Sequence, residues 1–283
     1  MSSISVRRSW RATAAVLAAT ILTLTALVQS VSAAPAGETR IIGGEPTDLG
    51  EYPFMVALLL ESRGGNDFDK QYCGGSLIAS RWVLTAAHCV EFLTDPDQIS
   101  VVVNRTHLSN DAEGVRVAVR DFYIHPDYDG TIGTPDVALI ELARPVNGVE
   151  PIQLSTGTGD DVYEVDGTIL TVIGWGNTST TGQPNWPDEL RELQVPVVSD
   201  AECDFAYGGA ITVEIEVCAG EKNVDSCQGD SGGPLFATTT SGDYVQVGVV
   251  SWGFMCGKQH FPGVYAEVNA PVIRDWIREV SGV

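Results

Sequence analysis

Residues 225–234 read Asp-Ser-Cys-Gln-Gly-Asp-Ser-Gly-Gly-Pro, and this stretch decides how the chain is read. A Gly-rich run holding two acids and two Ser is poor material for a helix or a strand. As a loop it lets backbone N–H groups converge on one point, the arrangement that stabilises a developing oxyanion. Outside it the sequence is β-rich. Short runs at 54–60, 82–85, 100–104, 137–142, 169–175, 193–198, 244–252 and 264–268 are bounded by polar or Gly segments. Val115, Val117 and Val119 alternate with Arg116, Ala118 and Arg120, the period of a half-buried strand. Only the C-terminal segment reads as helix: Ile273, Trp276, Ile277 and Val280 share one face, with Pro271 in the first turn. Many short strands with regular turns predict an all-β sandwich or pair of barrels. The weaker pattern at 144–161 marks a crossing between two halves.

Composition narrows the classes. The 283-residue chain is 44% hydrophobic, enough to fill a core, which excludes a largely disordered protein. Its 16 basic residues face 37 acidic ones, net −21, the wrong sign for a nucleic-acid partner. Arg7, Arg8 and Arg11 precede an uncharged stretch at 12–28, and Val31 and Ala33 suit a cleavage site. Residues 1–33 therefore read as a signal peptide, which places the protein outside the cell, without a membrane anchor. Residues 1–40 hold four Arg and one Glu, so 12 basic and 36 acidic residues remain, net −24. The six Cys, at 73, 89, 203, 218, 227 and 256, argue for three disulfides in an oxidising compartment. Spacing alone leaves 15 pairings open for six Cys.

Two more local runs carry chemistry: Thr85-Ala86-Ala87-His88-Cys89, and Asp136 opening the apolar run 137–140. Singly, each has a bland reading as a structural His or a turn Asp. Together with Ser231, in the order His, Asp, Ser, they make the chain resemble the trypsin/chymotrypsin family of serine peptidases. The likeness runs from Ile41 to the carboxyl end. It includes Ile41-Ile42-Gly43-Gly44, Cys73-Gly74-Gly75-Ser76-Leu77-Ile78, Ser251-Trp252-Gly253 and Pro262-Gly263-Val264-Tyr265.

The resemblance implies two six-stranded antiparallel β-barrels with a cleft between them, the first over about 41–155, the second over about 156–270, and a terminal helix at about 271–281. It makes Ser231 the nucleophile, His88 its base and Asp136 the group that orients the imidazole. The N–H groups of Gly229 and Ser231 would form the oxyanion hole. It pairs Cys73 with Cys89, Cys203 with Cys218 and Cys227 with Cys256, a reduced set similar to that of secreted bacterial members.

Asp225 stands where trypsin-like enzymes place the acid at the base of the specificity pocket. With Ser226, Ser251, Trp252, Gly253 and Gly263 it forms the expected substrate-binding set, which predicts cleavage after Arg or Lys. Met255 occupies a pocket-mouth position where trypsins usually carry Gly, and its bulk bears on the width of the entrance. Residues 34–40 read as a propeptide, with Arg40-Ile41 as the activation bond and Asp230 as the acid awaiting the freed amino group. Asn104 and Arg105 fall near a carboxylate calcium ligand of vertebrate trypsins. No metal or cofactor is assigned, and a structural calcium elsewhere is left open among the 36 acids. The expected partners are protein or peptide substrates and proteinaceous inhibitors, the expected state a monomer. Residues 61–71 and 177–188 read as surface loops. A binding module on the same fold would lack a triad member or the oxyanion Gly; this chain keeps all of them.

Overall fold

A computed structural model describes residues 44–157, 161–179 and 183–283. The signal segment, the propeptide and the Arg40-Ile41 bond lie outside the described residues. The strands are β1 Glu45–Pro46, β2 Met55–Leu60, β3 Gln71–Ala79, β4 Trp82–Thr85, β5 Ile99–Val103, β6 Val115–Ile124, β7 Ala138–Leu142, β8 Gln153–Leu154, β9 Ile169–Gly174, β10 Arg191–Val198, β11 Glu216–Ala219, β12 Pro234–Thr238, β13 Tyr244–Trp252 and β14 Gly263–Glu267.

Strands β2-β3-β4-β7-β6-β5 close into one antiparallel barrel. A second antiparallel barrel runs β9-β10-β11-β14-β13-β12 and closes through the β12–β9 pairing. This is the expected pair of six-stranded barrels. The two-residue strand β1 lies at the start of the span expected for the first barrel but pairs with β10 of the second, Glu45 opposite Glu192. Met55, Leu58, Leu77 and Leu84 bury themselves in the first barrel, and Val172, Val195, Leu235 and Val247 in the second. Across the seam, Phe54 and Tyr52 of the first barrel meet Phe236 and Tyr244 of the second at ring separations of 5.4–5.5 Å.

Helix α3, Pro271–Ser281, closes the chain as its periodicity predicts, with Ile273 and Ile277 buried and Trp276 against the His125 ring. Two further helices correct the expectation of a single one. Helix α2, Asp200–Tyr207, is capped by Ser199 and ended by Gly208 in the left-handed region. Its two turns bury only Cys203, so no apolar stripe announces it. Helix α1, Asp67–Lys70, is a single turn inside the expected 61–71 loop, set by the Asn66–Asp69 capping box. Arg105 follows β5 and is also buried. Its guanidinium reaches Asp67 at 2.6 Å and the Glu113 and Leu108 carbonyls. The three disulfides join the Cys pairs that the family resemblance implies.

Candidate active site

His88 lies in a single 3-10 turn directly after β4, and Asp136 two residues before β7. Since β4 and β7 are paired neighbours, the two residues meet at one rim of the first barrel. The imidazole Nδ1 stands 2.7 Å from Asp136 Oδ2, and the His88 backbone N–H donates to Oδ1 at 2.9 Å. From the second barrel, Ser251 Oγ donates to Asp136 Oδ2 at 2.6 Å. Burial alone would raise the Asp136 carboxyl, but the hydrogen bond and charge of His88, with the Ser251 hydroxyl, hold it below the usual carboxylate range. For His88, burial disfavours the cation; the bond to Asp136 and its charge outweigh that and raise the imidazole above its ordinary value.

Ser231 sits in the turn before β12. Its carbonyl accepts from the Gly74 N–H of β3 at 2.8 Å, so the serine loop is tied to the opposite barrel. Gly229 holds φ +96°, a conformation that disfavours side chains, and a Cβ there would lie 2.9 Å from the Trp186 ring. Among the described residues, no group accepts from the Gly229 or Ser231 N–H. Two donors are therefore left for an incoming oxyanion.

Between them, Asp230 is fully buried. It accepts from the Gly176 N–H at 2.7 Å and the Cys227 N–H at 2.9 Å. A Cβ on Gly174 or Gly176 would fall 2.0 or 2.3 Å from its carboxylate oxygens, so the cradle admits no side chain at either position. Burial pushes Asp230 up to about 6, against the pull of those two N–H donors.

A pocket of about 210 Å³ opens beside Ser231 and is lined by Asp225, Ser226, Ser251, Trp252, Gly253 and Gly263, among others. All six substrate-binding residues expected from sequence thus face one cavity. Asp225 is 4% exposed, accepts from the Gly257 N–H at 2.9 Å through Oδ2, and leaves Oδ1 without a partner. Burial pushes it up to about 7, although the Gly257 and Ser226 N–H groups draw it down. A Cβ on Gly263 would lie 2.6 Å from that free oxygen and block access to it. Met255 does not line the pocket: its backbone takes φ +56° and its side chain points out, 55% exposed.

Some site residues have no signal in the sequence. Gln71 Nε2 donates to the Gly229 carbonyl at 2.9 Å, and Trp186 packs on Gly229 from the 177–188 loop. The first contact arises only when the barrels meet, and the second joins segments more than 40 residues apart in the chain. Cys73, Cys89 and His88 lie close enough together for a metal site, but the two sulfurs are bonded to each other.

Comparison with known proteins agrees with this geometry. The trypsin family model matches residues 41–277. A trypsin-like protease of Streptomyces glaucescens is 37% identical, over 86% of this chain and 84% of its own length. A trypsin of Saccharopolyspora erythraea is 40% identical, over 81% of this chain and 94% of its own. Transmembrane protease serine 9 of Rattus norvegicus is 39% identical over 87% of this chain, which spans only 22% of that longer protein. The chain belongs to the trypsin family, and it is a trypsin-like serine endopeptidase.

Proposed function

We propose that this peptidase is secreted as a zymogen, is activated by cleavage at Arg40-Ile41, and then cuts peptide bonds after Arg or Lys. The observation that carries the specificity is the unpartnered Asp225 Oδ1 at the base of a glycine-walled pocket. A substrate guanidinium or ammonium supplies the missing partner, whereas an aromatic side chain would leave a buried carboxylate unpaired. With the side chain seated, Ser231 Oγ attacks the scissile carbonyl and His88 takes its proton. The Gly229 and Ser231 N–H groups hold the oxyanion; collapse to the acyl-enzyme returns the proton to the leaving amine. Water then repeats the sequence and frees the acid. These roles are the family's established ones, applied to the groups assembled here.

Activation follows from Asp230. It is buried with two N–H donors and, among the described residues, no cation in ion-pair range. The amino group freed at Ile41 would supply that charge and hold the oxyanion loop in order. Export rests on the basic and apolar amino terminus; no helix among the described residues is long and apolar enough to cross a membrane.

The test is hydrolysis of matched peptide amides ending in Arg, Lys, Phe or Ala. It compares chains cut and uncut at Arg40-Ile41, with Ser231→Ala as the blank. Turnover on Arg and Lys alone, in the cut chain alone, is expected. Full activity in the uncut chain would overturn the zymogen, and a Phe preference the pocket assignment.

A further inference from the structure

Strand β11 is four residues long and wholly buried, yet it opens with a glutamate: Glu216 is 4% exposed. No Lys, Arg or His among the described residues lies within ion-pair range of it. A carboxylate so placed must be met by hydrogen-bond donors, and each oxygen has one. The Trp252 indole N–H donates to Oε1 at 2.8 Å and the Thr212 N–H donates to Oε2 at 2.7 Å.

Both donors lead to places that matter to catalysis. Trp252 follows Ser251, which holds Asp136, and lines the specificity pocket beside Gly253. Thr212 reaches the first barrel: its Oγ1 donates at 3.1 Å to the carbonyl of Gly133, three residues before Asp136. Beyond Trp252 an aromatic wall continues. Trp252 meets Tyr207 at 4.8 Å, Tyr207 meets Phe261 at 5.6 Å, and Phe261 meets the half-exposed Phe254 at 5.0 Å. Because Trp252 lines the pocket and the wall runs from it to the exposed Phe254, the residues preceding a pocketed side chain are expected to pass this wall.

We propose that Glu216 is a positioning residue for extended substrates, its carboxylate fixing the Trp252 indole and lashing it to the 129–134 loop of the opposite barrel. The inference rests on the peptidase reading above. The chemistry asks for a group that accepts and never donates. An N–H group meets each of the two oxygens, and a glutamine would turn an NH₂ towards one of them. Asp136 bears on the site as well: burial first, then its negative charge, raise the Glu216 carboxyl above the usual range against the pull of its donors.

Glu216→Gln is the probe, because it preserves shape. The processed enzyme is assayed on an Arg amide alone and on a tetrapeptide amide ending in the same Arg. A lost bond to a buried charge implies a KM for the tetrapeptide raised about ten-fold with kcat unchanged. On the single-residue amide both constants should stay within about two-fold, since remote binding is not in play there. In a Trp252→Phe background, which lacks the indole donor, Glu216→Gln should add no further length-dependent loss. Equal losses on both substrates, or losses that simply add in the double variant, overturn the proposal. If Glu216→Gln does not fold, Thr212→Val removes only the hydroxyl tie to Gly133 and should show a smaller, still length-selective rise in KM; an effect blind to length overturns the proposal there too. Failure of the unaltered enzyme on both Arg substrates would instead overturn the Arg specificity proposed above, on which this inference rests.

Discussion

Asp136 is held by Ser251, which also lines the pocket of Asp225, and the two acids are buried almost alike, 9% and 4% exposed, yet their carboxyls move in opposite directions. Asp136 receives the His88 imidazole, the His88 backbone N–H and the Ser251 hydroxyl, and stays ionised below the usual range. Asp225 accepts the Gly257 N–H through Oδ2, keeps its other oxygen bare, and is pushed up to about 7 by its burial. Depth sets the cost of a charge, and the surrounding donors decide whether the charge survives it. Asp136 is therefore a finished site, and Asp225 is one whose second oxygen is left without a partner, the place that the proposed specificity gives to a substrate cation.

The comparison can be broken at either end. The largest effect is expected at the finished site. Asp136→Asn keeps the shape but offers His88 an amide, which favours the wrong tautomer. The known loss for that change in this family is about 10⁴-fold in kcat, and steady-state kinetics on an Arg amide would check it. The remaining activity should titrate nearer the ordinary imidazole value, because the group that raises His88 has lost its charge.

A smaller loss is expected at the unfinished site. Asp225→Ser removes the partner of the substrate cation; turnover of Arg and Lys amides should fall about 10²-fold or more. Amides ending in uncharged residues should change little, so the ratio between the two series is the measurement. An unchanged ratio would mean that the bare oxygen is not what selects the cation.

The smallest effect sharpens the contrast without any mutation. Asp225 has a raised value in the free enzyme, so it takes up a proton as pH falls through about 7, and the ionised form that binds a cation is lost there. Inhibition by a simple amidinium should weaken by about ten-fold per pH unit below that point. Asp136, held low, stays charged throughout this window and contributes no such slope. A flat inhibition constant from pH 7.5 to 5.5, on the order of that two-unit span, would show Asp225 already ionised.

Much of this was legible in the chain, and what escaped has a physical pattern. Strand β6 shows itself because Val117 and Val119 face inward while Arg116, Ala118 and Arg120 do not share their surroundings. Strands β3 and β12 do not alternate: β3 carries Gly74-Gly75 and is buried nearly throughout, and β12 begins with Pro234. Strand β11 is too short to show a period and begins with an acid. The site divides the same way. Residues that act through their own chemistry, His88, Asp136, Asp225 and Ser231, sit in runs that can be recognised. Those that act by contact, such as Gln71, Trp186, Gly176 and Glu216, depend on which distant segments the fold brings together, and no local run records that.

The bond from the Gly74 N–H to the Ser231 carbonyl has a consequence for building new enzymes from this scaffold. Each barrel closes on its own strands and looks exchangeable, like a module to be shuffled between homologues. The serine loop, however, takes its footing from the partner barrel, and Gly232 fits there only because Thr85 and Gly74 leave room for a hydrogen and nothing larger. A chimera that swaps one barrel inherits a nucleophile whose support was left behind, unless the contact residues of the seam are transplanted with it.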